Sequence, residues 1–414
     1  MKWKRIILIA LSVISTTFFA GCWDQREFSD LAVVMGITVD LNDGDSEGTL
    51  SVGVQVANPV PYSGSSGEGA SKESYSEFSD TGNNIFEILR SVTHVSSRRL
   101  YNSHNQIVVF GSQLARQEGI GGEMDFFLRD NEMRYSVLLA VSEGKAAEIL
   151  AADTNYEHVP AKELAELIRN QATNSGSVEC NLLDFVRDAT AEGSTCLVPV
   201  VRIKEEPASA GGEESGEKSS KGAKGEEGGE KKFEVNGSAV FKGDVMVGQL
   251  DERETRGALW VRDKVDRGII EASFDDVDTE IEVFECKTFT SVNIDDNGKV
   301  SVDIRCEIYA NIAGLSGYEG LLDNELTKKI RSAASDTVKE EILSAWEKSK
   351  EMECDVFCLG NKVYKKTPVL WEKYQQSWQE MYNEIAFDFN IDINIEDVGD
   401  LTGEVQWKGV DDKK

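Results

Sequence analysis

The chain has 414 residues, of which 40% are hydrophobic and 29% charged, and its formal net charge is −30. That length allows two or three domains with substantial cores, and the composition is that of a folded protein, not a disordered or multi-span one. Such acidity excludes a nucleic-acid partner, which needs clustered Lys and Arg, and excludes a polybasic grip on anionic lipid.

The N-terminus has its own character. Lys2, Lys4 and Arg5 precede an apolar run from Ile6 to Ala20 that is broken by Ser12, Ser15, Thr16 and Thr17. This is the pattern of an export signal, short and polar for a spanning helix. A cut before Cys22 gives Phe-Ala-Gly-Cys, close to a bacterial lipobox with Phe19 in place of the usual Leu. A lipidated Cys22 carries two or more acyl chains, which suffices for stable anchoring. The plainer alternative is a core cysteine behind an uncleaved anchor. No later segment approaches the ~20 consecutive apolar residues of a membrane helix.

In chain order, the polar stretch "YSGSSGEGASKESYSEFSDTGNN" after Pro59 and Pro61 is expected to be a mobile loop. "NIFEILRSVTHV" places Ile85, Leu89 and Val92 on one helical face. "NQIVVFG" and "RYSVLLAV" are short buried strands with a helix between them around "SQLARQEGIGGEMDFFLRD". Helices follow at "GKAAEILAA", "AKELAELIRNQ" and "NLLDFVRDAT", then a strand at "CLVPVVRI".

Residues 204–232 contain no aromatic or branched apolar side chain, so they have nothing to bury and form an acidic Gly/Ser-rich linker. As a coil it would separate its ends by about 30 Å. Beyond it, "EVNGSAVFKGDVMVGQL" is a hairpin turning at Lys242-Gly243-Asp244. Asp251 with Glu254 has capping-box spacing and opens a helix at "ERETRGALWV".

Residues 276–312 form a two-stranded ribbon. Its loop, Asp296-Asn297-Gly298, sets Cys286 opposite Ile308 and Cys306 opposite Thr288. The two thiols are then diagonal neighbours about 7–8 Å apart, which favours free thiols over a bridge. A long helix is expected near 321–352, and a further helix from Pro368 through "PVLWEKYQQSWQEMY". The last strand alternates Phe387, Phe389, Ile391, Ile393 and Ile395 with Asp388, Asn390, Asp392, Asn394 and Glu396, and is expected to be antiparallel with one face in water. The fold class is α+β, multi-domain, with mixed and antiparallel sheets.

Candidate chemistry is sparse. Ser103 and His104 are adjacent in sequence and rarely face each other, and no nucleophile elbow surrounds them. Asp388, Asp392 and Glu396 lie nearly 7 Å apart along a flat strand, a poor cage for calcium. Cys354 and Cys358 lack the His or second Cys pair that zinc requires. The disulfide states of Cys180, Cys196, Cys286, Cys306, Cys354 and Cys358 stay open. No cofactor or metal is expected, and the residues favour a binding or assembly role.

Several of these segments, in this order, resemble the Ger(x)C spore germination lipoproteins, the C subunits of nutrient germinant receptors in spore-forming Gram-positive bacteria. They are "GCWDQREFSDLAVVMGITVD", "HNQIVVFGSQLARQEGI", "DFFLRDNEMRYSVLLAV", "GSAVFKGDVMVGQLDERETRGALWV" and "CDVFCLGNKVYKKTPVLWEKYQQSW". The resemblance implies a non-enzymatic extracytoplasmic lipoprotein on the outer face of the spore inner membrane, beside A-type and B-type membrane subunits. It implies that Cys22 carries the lipid. Asp24 and Glu27 have capping-box spacing, so Asp24, Arg26 and Glu27 are candidates for a helix cap or a partner contact near the anchor. Arg129, Asp130, Glu132 and Arg134 are expected to cluster where a helix meets a strand, by capping and local ion pairs or by partner contact. Trp260, Trp371 and Trp378 are expected in the core.

The organisation expected is a signal peptide (1–21), an N-terminal α+β region (22–203), the linker (204–232), a middle module (233–275) and a C-terminal α+β domain (276–410). The function expected is a lipid-anchored receptor subunit needed for assembly or signalling, with direct nutrient binding left open. The alternative is an extracytoplasmic solute-binding lipoprotein of a transporter.

Overall fold

The computed structural model describes residues 3–7, 30–42, 50–58, 74–171, 174–206, 230–318 and 323–397. Cys22, Asp24, Arg26 and Glu27 lie outside them. The first body contains β1 (Leu31–Leu41), β2 (Leu50–Ala57), β3 (Tyr75–Gly82), α1 (Ile85–Ser91), β4 (Arg99–Tyr101), β5 (Ile107–Gly111), α2 (Ser112–Gln117) and α3 (Gly121–Arg129). It continues with β6 (Leu138–Ser142), α4 (Ala146–Leu150), α5 (Pro160–Asn170), α6 (Leu182–Thr190), β7 (Cys196–Glu206), β8 (Glu230–Lys242) and β9 (Val245–Leu250).

Its strands form one sheet in the order β3-β2-β1-β5-β6-β7-β8-β9, with β4 also paired to β1. The four central strands, β1 to β7 in that order, run parallel, and the flanking strands are antiparallel. Strands β5 and β6 are buried at every position because helices cover both faces. Val108, Phe110, Leu139 and Val141 pack with side chains of α1, α2, α3 and α6, whereas Ile107, Val109, Leu138 and Ala140 pack with α4 and α5. Asp40 of β1 is buried and accepts hydrogen bonds from the amides of Ala146 (2.7 Å) and Ala147 (2.9 Å), holding the start of α4 against the sheet.

Two expectations for this body need correction. Residues 75–82, expected within a mobile loop, are strand β3, paired with β2. They are polar because β3 is an edge strand with much of its surface in water. The acidic stretch, expected to separate domains, instead interrupts a hairpin. Lys204, Glu205 and Glu206 of β7 pair with Lys232, Lys231 and Glu230 of β8, so its ends sit on adjacent strands, ~5 Å apart. The segment 233–275 is likewise divided, since β8 and β9 complete the first sheet and its last strand belongs to the second.

The second body contains α7 (Glu252–Arg262), β10 (Gly268–Phe274), β11 (Val277–Ile294), β12 (Val300–Ser316), α8 (Asn324–Glu351), α9 (Leu359–Lys366), α10 (Pro368–Tyr374), α11 (Trp378–Asn383) and β13 (Ala386–Asp397). Its sheet has the order β10-β11-β12-β13. The β11–β12 register sets Cys286 opposite Ile308 and Thr288 opposite Cys306, with Gly298 at φ +83° in the loop, as its residues predict. Strand β13 runs parallel to β12, contrary to expectation. Its alternation reports an open face, which is the same for either direction. The helix expected over 368–382 is broken into α10 and α11, with Trp371 and Trp378 in a T-shaped contact at 5.6 Å in the core.

Helix α8, 28 residues and so ~42 Å long, is capped by Asp323 and lays Leu326, Ile330, Ala334, Val338, Ile342 and Ala345 into the core. It crosses α7, which opens on the expected Asp251–Glu254 capping box. At the crossing, Glu341 is 1% exposed and accepts from the Trp260 indole (2.8 Å) and from Arg256 Nε (3.0 Å) and Nη2.

A hydrogen-bonded joint ties the two bodies together. Arg262 donates to the carbonyls of Val356 (2.6 Å) and Thr195 (2.9 Å). Asn361 donates from its amide to the carbonyl of Gly193 (2.8 Å) and from its side chain to that of Glu192 (2.7 Å), and Trp371 reaches the Glu192 carboxylate (3.2 Å). Gly193 has φ +61°, and a Cβ there would collide with the backbone of Gly360 and Asn361. Beneath them, the buried Asp355 carboxylate accepts from Gly360 N (2.7 Å), Phe357 N (3.2 Å) and Trp378 Nε1 (3.1 Å).

Burial pushes up the carboxyls of Asp40, Glu123, Glu254 and Asp355. A folded carboxyl with a raised pKa holds a proton that the unfolded chain releases. Its stabilising contribution is present in acid and is lost as pH rises from the ordinary carboxylate range through the folded pKa. Asp80 and Asp125 shift the other way but are fully exposed. The urea midpoint is therefore expected to fall as pH rises above the ordinary carboxylate range. A midpoint that rises steadily with pH from there toward neutrality would contradict this.

Candidate functional site

A cleft of about 1060 Å³ opens on one face of the first sheet, between α1, α3 and the strand β4. Asn84 caps α1 by accepting from Glu87 N (2.8 Å), and Ile85, Ile88 and Leu89 turn into the core. That leaves Phe86 and Arg90, one turn apart, on the outer face, with the guanidinium 4.6 Å from the ring centroid. Phe86 is 54% exposed and meets Phe126 of α3 at 6.3 Å. Exposed aromatic surface at a cleft mouth is suited to covering an apolar group.

The polar wall comes from the end of α3. Asp130 accepts from the Glu132 amide (2.9 Å) and from Asn102 Nδ2 (2.7 Å). Arg129 pairs with Asp125 (2.8 Å) and Glu132 with Arg99 (2.9 Å). Three of the four residues expected to cluster here do so, in the capping and ion-pair roles. Arg134 is exposed and takes no part.

Asn102 is 7% exposed, and its Oδ1 is the one buried side-chain polar atom without a partner among the described residues. The Asp130 carboxylate fixes the amide's orientation, because only Nδ2 can donate to it. The side-chain Oδ1 is thus an acceptor with no donor. Burial raises Glu123 on the same wall, and Asp244 and Glu118 add to the effect. The arrangement can accept hydrogen bonds beside an aromatic surface. His104, by contrast, has Tyr101 as its ring neighbour (6.1 Å), and Asp388, Asp392 and Glu396 stand exposed on β13. Among the described residues no three His, Cys, Asp or Glu side chains form a metal-holding group.

Replacing Asp130 by Ala strands the Asn102 amide and the Glu132 N–H, and is expected to lower stability by about 1–3 kcal/mol. Arg99→Ala breaks only a largely exposed ion pair and is expected to cost less than about 1 kcal/mol. Equal losses for the two variants in urea denaturation would contradict this account of the wall.

Phe86, Arg90, Asn102 and Phe126 are missed by the sequence reading. The available signal was an aromatic at Phe86 on the face of α1 opposite its apolar stripe.

Two family models cover most of the chain: "Spore germination protein N-terminal domain" matches residues 24–203, and "Spore germination B3/GerAC like, C-terminal" matches residues 236–399. The chain belongs to the GerAC-like family of spore germination proteins. Among its GerAC-like relatives in Bacillus subtilis (strain 168), spore germination protein KC is 25% identical over 99% of this chain and 100% of its own length. Spore germination protein A3 is 23% identical, over 95% of this chain and 98% of its own. The crystal structure of the GerBC protein shares the α+β fold, with a TM-score of 0.52 at 16% identity, covering 87% of this chain and 97% of that one. This chain is therefore a spore germination protein of the C-subunit type. The boundary between the two GerAC-like models falls within the β7–β8 hairpin, so one sheet is built from both.

Proposed function

We propose that the chain is a lipid-anchored, non-catalytic subunit of a spore nutrient germinant receptor. It is held on the outer face of the spore inner membrane through Cys22 and acts in assembly or signalling beside A-type and B-type membrane subunits. The observation that carries this reading is the adjacency of two signals. A basic and apolar leader ends in Phe-Ala-Gly-Cys, and the germination-family match begins two residues later, at residue 24.

The first described strand starts at Leu31, whose partner is Arg99 of β4, on the wall of the cleft. Nine residues reach at most ~30 Å, so an anchor at Cys22 keeps that cleft close to the bilayer. Asp24, Arg26 and Glu27 lie along this short tether, where they would cap a helix or touch a membrane partner.

In Cys22→Ala spores the protein is expected to leave the membrane fraction and the response to nutrients to fall. Normal germination with full membrane retention in that variant would overturn the proposal.

A further inference from the structure

The six described cysteines are all free thiols. Cys286 and Cys306 both lie against Thr288 on the ribbon, and Cys354 and Cys358 both lie against Thr195 at the joint. One pair differs. Cys180, just before α6, and Cys196, the first residue of β7, are 2% and 1% exposed, with their sulfurs 3.9 Å apart. Sulfurs in a disulfide are about 2.0 Å apart, so the pair closes if each moves by roughly 1 Å, within reach of a small side-chain rotation.

We propose that Cys180 and Cys196 are a cross-linking site, joined as a disulfide in the exported protein. The proposal rests on the extracytoplasmic reading above, because disulfides persist where the surroundings are oxidising. The co-reactant is a disulfide-bearing thiol oxidant, RSSR. One cysteine thiolate attacks it, forming a mixed disulfide and releasing one RSH. The second cysteine thiolate then attacks the protein sulfur of that mixed disulfide and releases the other RSH. One oxidant S–S bond and two protein S–H bonds are lost, while one protein S–S bond and two RSH form. Two electrons pass from the protein to the oxidant.

In the folded protein the hydrogen bond between the thiols, together with burial, keeps Cys180 protonated and inert. The exchange therefore takes place while the chain folds, before β7 packs against the sheet. Once formed, the bond is sealed from reductants. It also has a structural consequence. Cys196 follows Thr195, whose carbonyl accepts from Arg262 and whose hydroxyl contacts Cys354. The bond thus pins the first sheet's side of the joint between the two bodies.

The test uses the full chain in two samples: one isolated from spore membranes, one refolded in detergent with oxidised glutathione. Both are denatured without reductant, alkylated and mapped by mass spectrometry. The expected result in both is a peptide pair joined through Cys180 and Cys196 and lighter by two hydrogens. Alkylation at these two positions falls by about tenfold or more relative to a pre-reduced control. Cys306 stays fully alkylated, and Cys196→Ser restores alkylation of Cys180. External protease digestion of intact membranes reports where the first sample resided. If that protein is accessible from outside and both thiols are free, the cross-link proposal is wrong. If it is inaccessible, the extracytoplasmic reading fails and the glutathione sample decides: a joined pair supports the site and two free thiols overturn it.

Discussion

Glu341→Ala is expected to lower the stability of the second body by about 3–5 kcal/mol, the range found when one partner of a buried ion pair is removed. The carboxylate is the shared acceptor for Arg256 and for the Trp260 indole, itself 1% exposed. Alanine leaves the indole N–H without an acceptor and a largely buried guanidinium without its carboxylate at the crossing of two helices. Arg256 keeps only its bond to the Ile269 carbonyl (3.0 Å). Glu341→Gln retains an acceptor for Trp260 and should lose less. Arg256→Met combined with Glu341→Leu should recover much of the loss, because the uncompensated charge is then gone. Trp260 offers a fluorescence signal for urea denaturation. A loss below about 1 kcal/mol in Glu341→Ala would show that the pair is poorly desolvated or replaceable by solvent.

Gly257→Ala carries the second large effect, one residue along α7 from Arg256. A Cβ at this position runs into the backbone carbonyl of Glu341, so α7 and α8 approach as closely as they do only because no side chain intervenes. Two terms compete. Alanine improves helix propensity by about 1 kcal/mol, while forcing two packed helices apart costs about 1–3 kcal/mol or more. The obstacle is backbone and not the end of a flexible side chain, so the second term wins. A net loss of about 2 kcal/mol is expected, with Glu341 drawn off its partners. A stabilised variant would mean that the helices separate easily, and would also undercut the Glu341 result.

Local chemistry was the most legible part of the fold. The Asp-Asn-Gly loop fixed the β11–β12 register to the residue, and the Asp251–Glu254 spacing fixed the start of α7, since both depend on hydrogen bonds within a few residues. The direction of β13 was not legible, because side-chain alternation is identical in parallel and antiparallel strands. Strand β3 was hidden because Phe78 is its only aliphatic or Phe side chain packed on the core, set among polar residues, and the pairing with β2 that makes it a strand is not written in its own residues. The first sheet's continuity across residues 204–232 was hidden too, since low complexity marks an absence of core and says nothing about where the flanks meet.

The candidate site divides in the same way. Arg129, Asp130 and Glu132 were recognisable as a cluster because they are neighbours in sequence. Their connection to Asn102 and Arg99, and the aromatic contact between Phe86 and Phe126, exist only after β4, α1 and α3 are brought together.

The β7–β8 hairpin offers a practical opening. Its two strands are paired up to Glu206 and Glu230, so their alignment is already set on both sides of the connection. The entropy of closing a loop grows only logarithmically with its length. A fluorescent domain with neighbouring termini could be spliced between those two residues without displacing either the cleft or the joint. It would give an optical reporter of where the protein sits in a living spore.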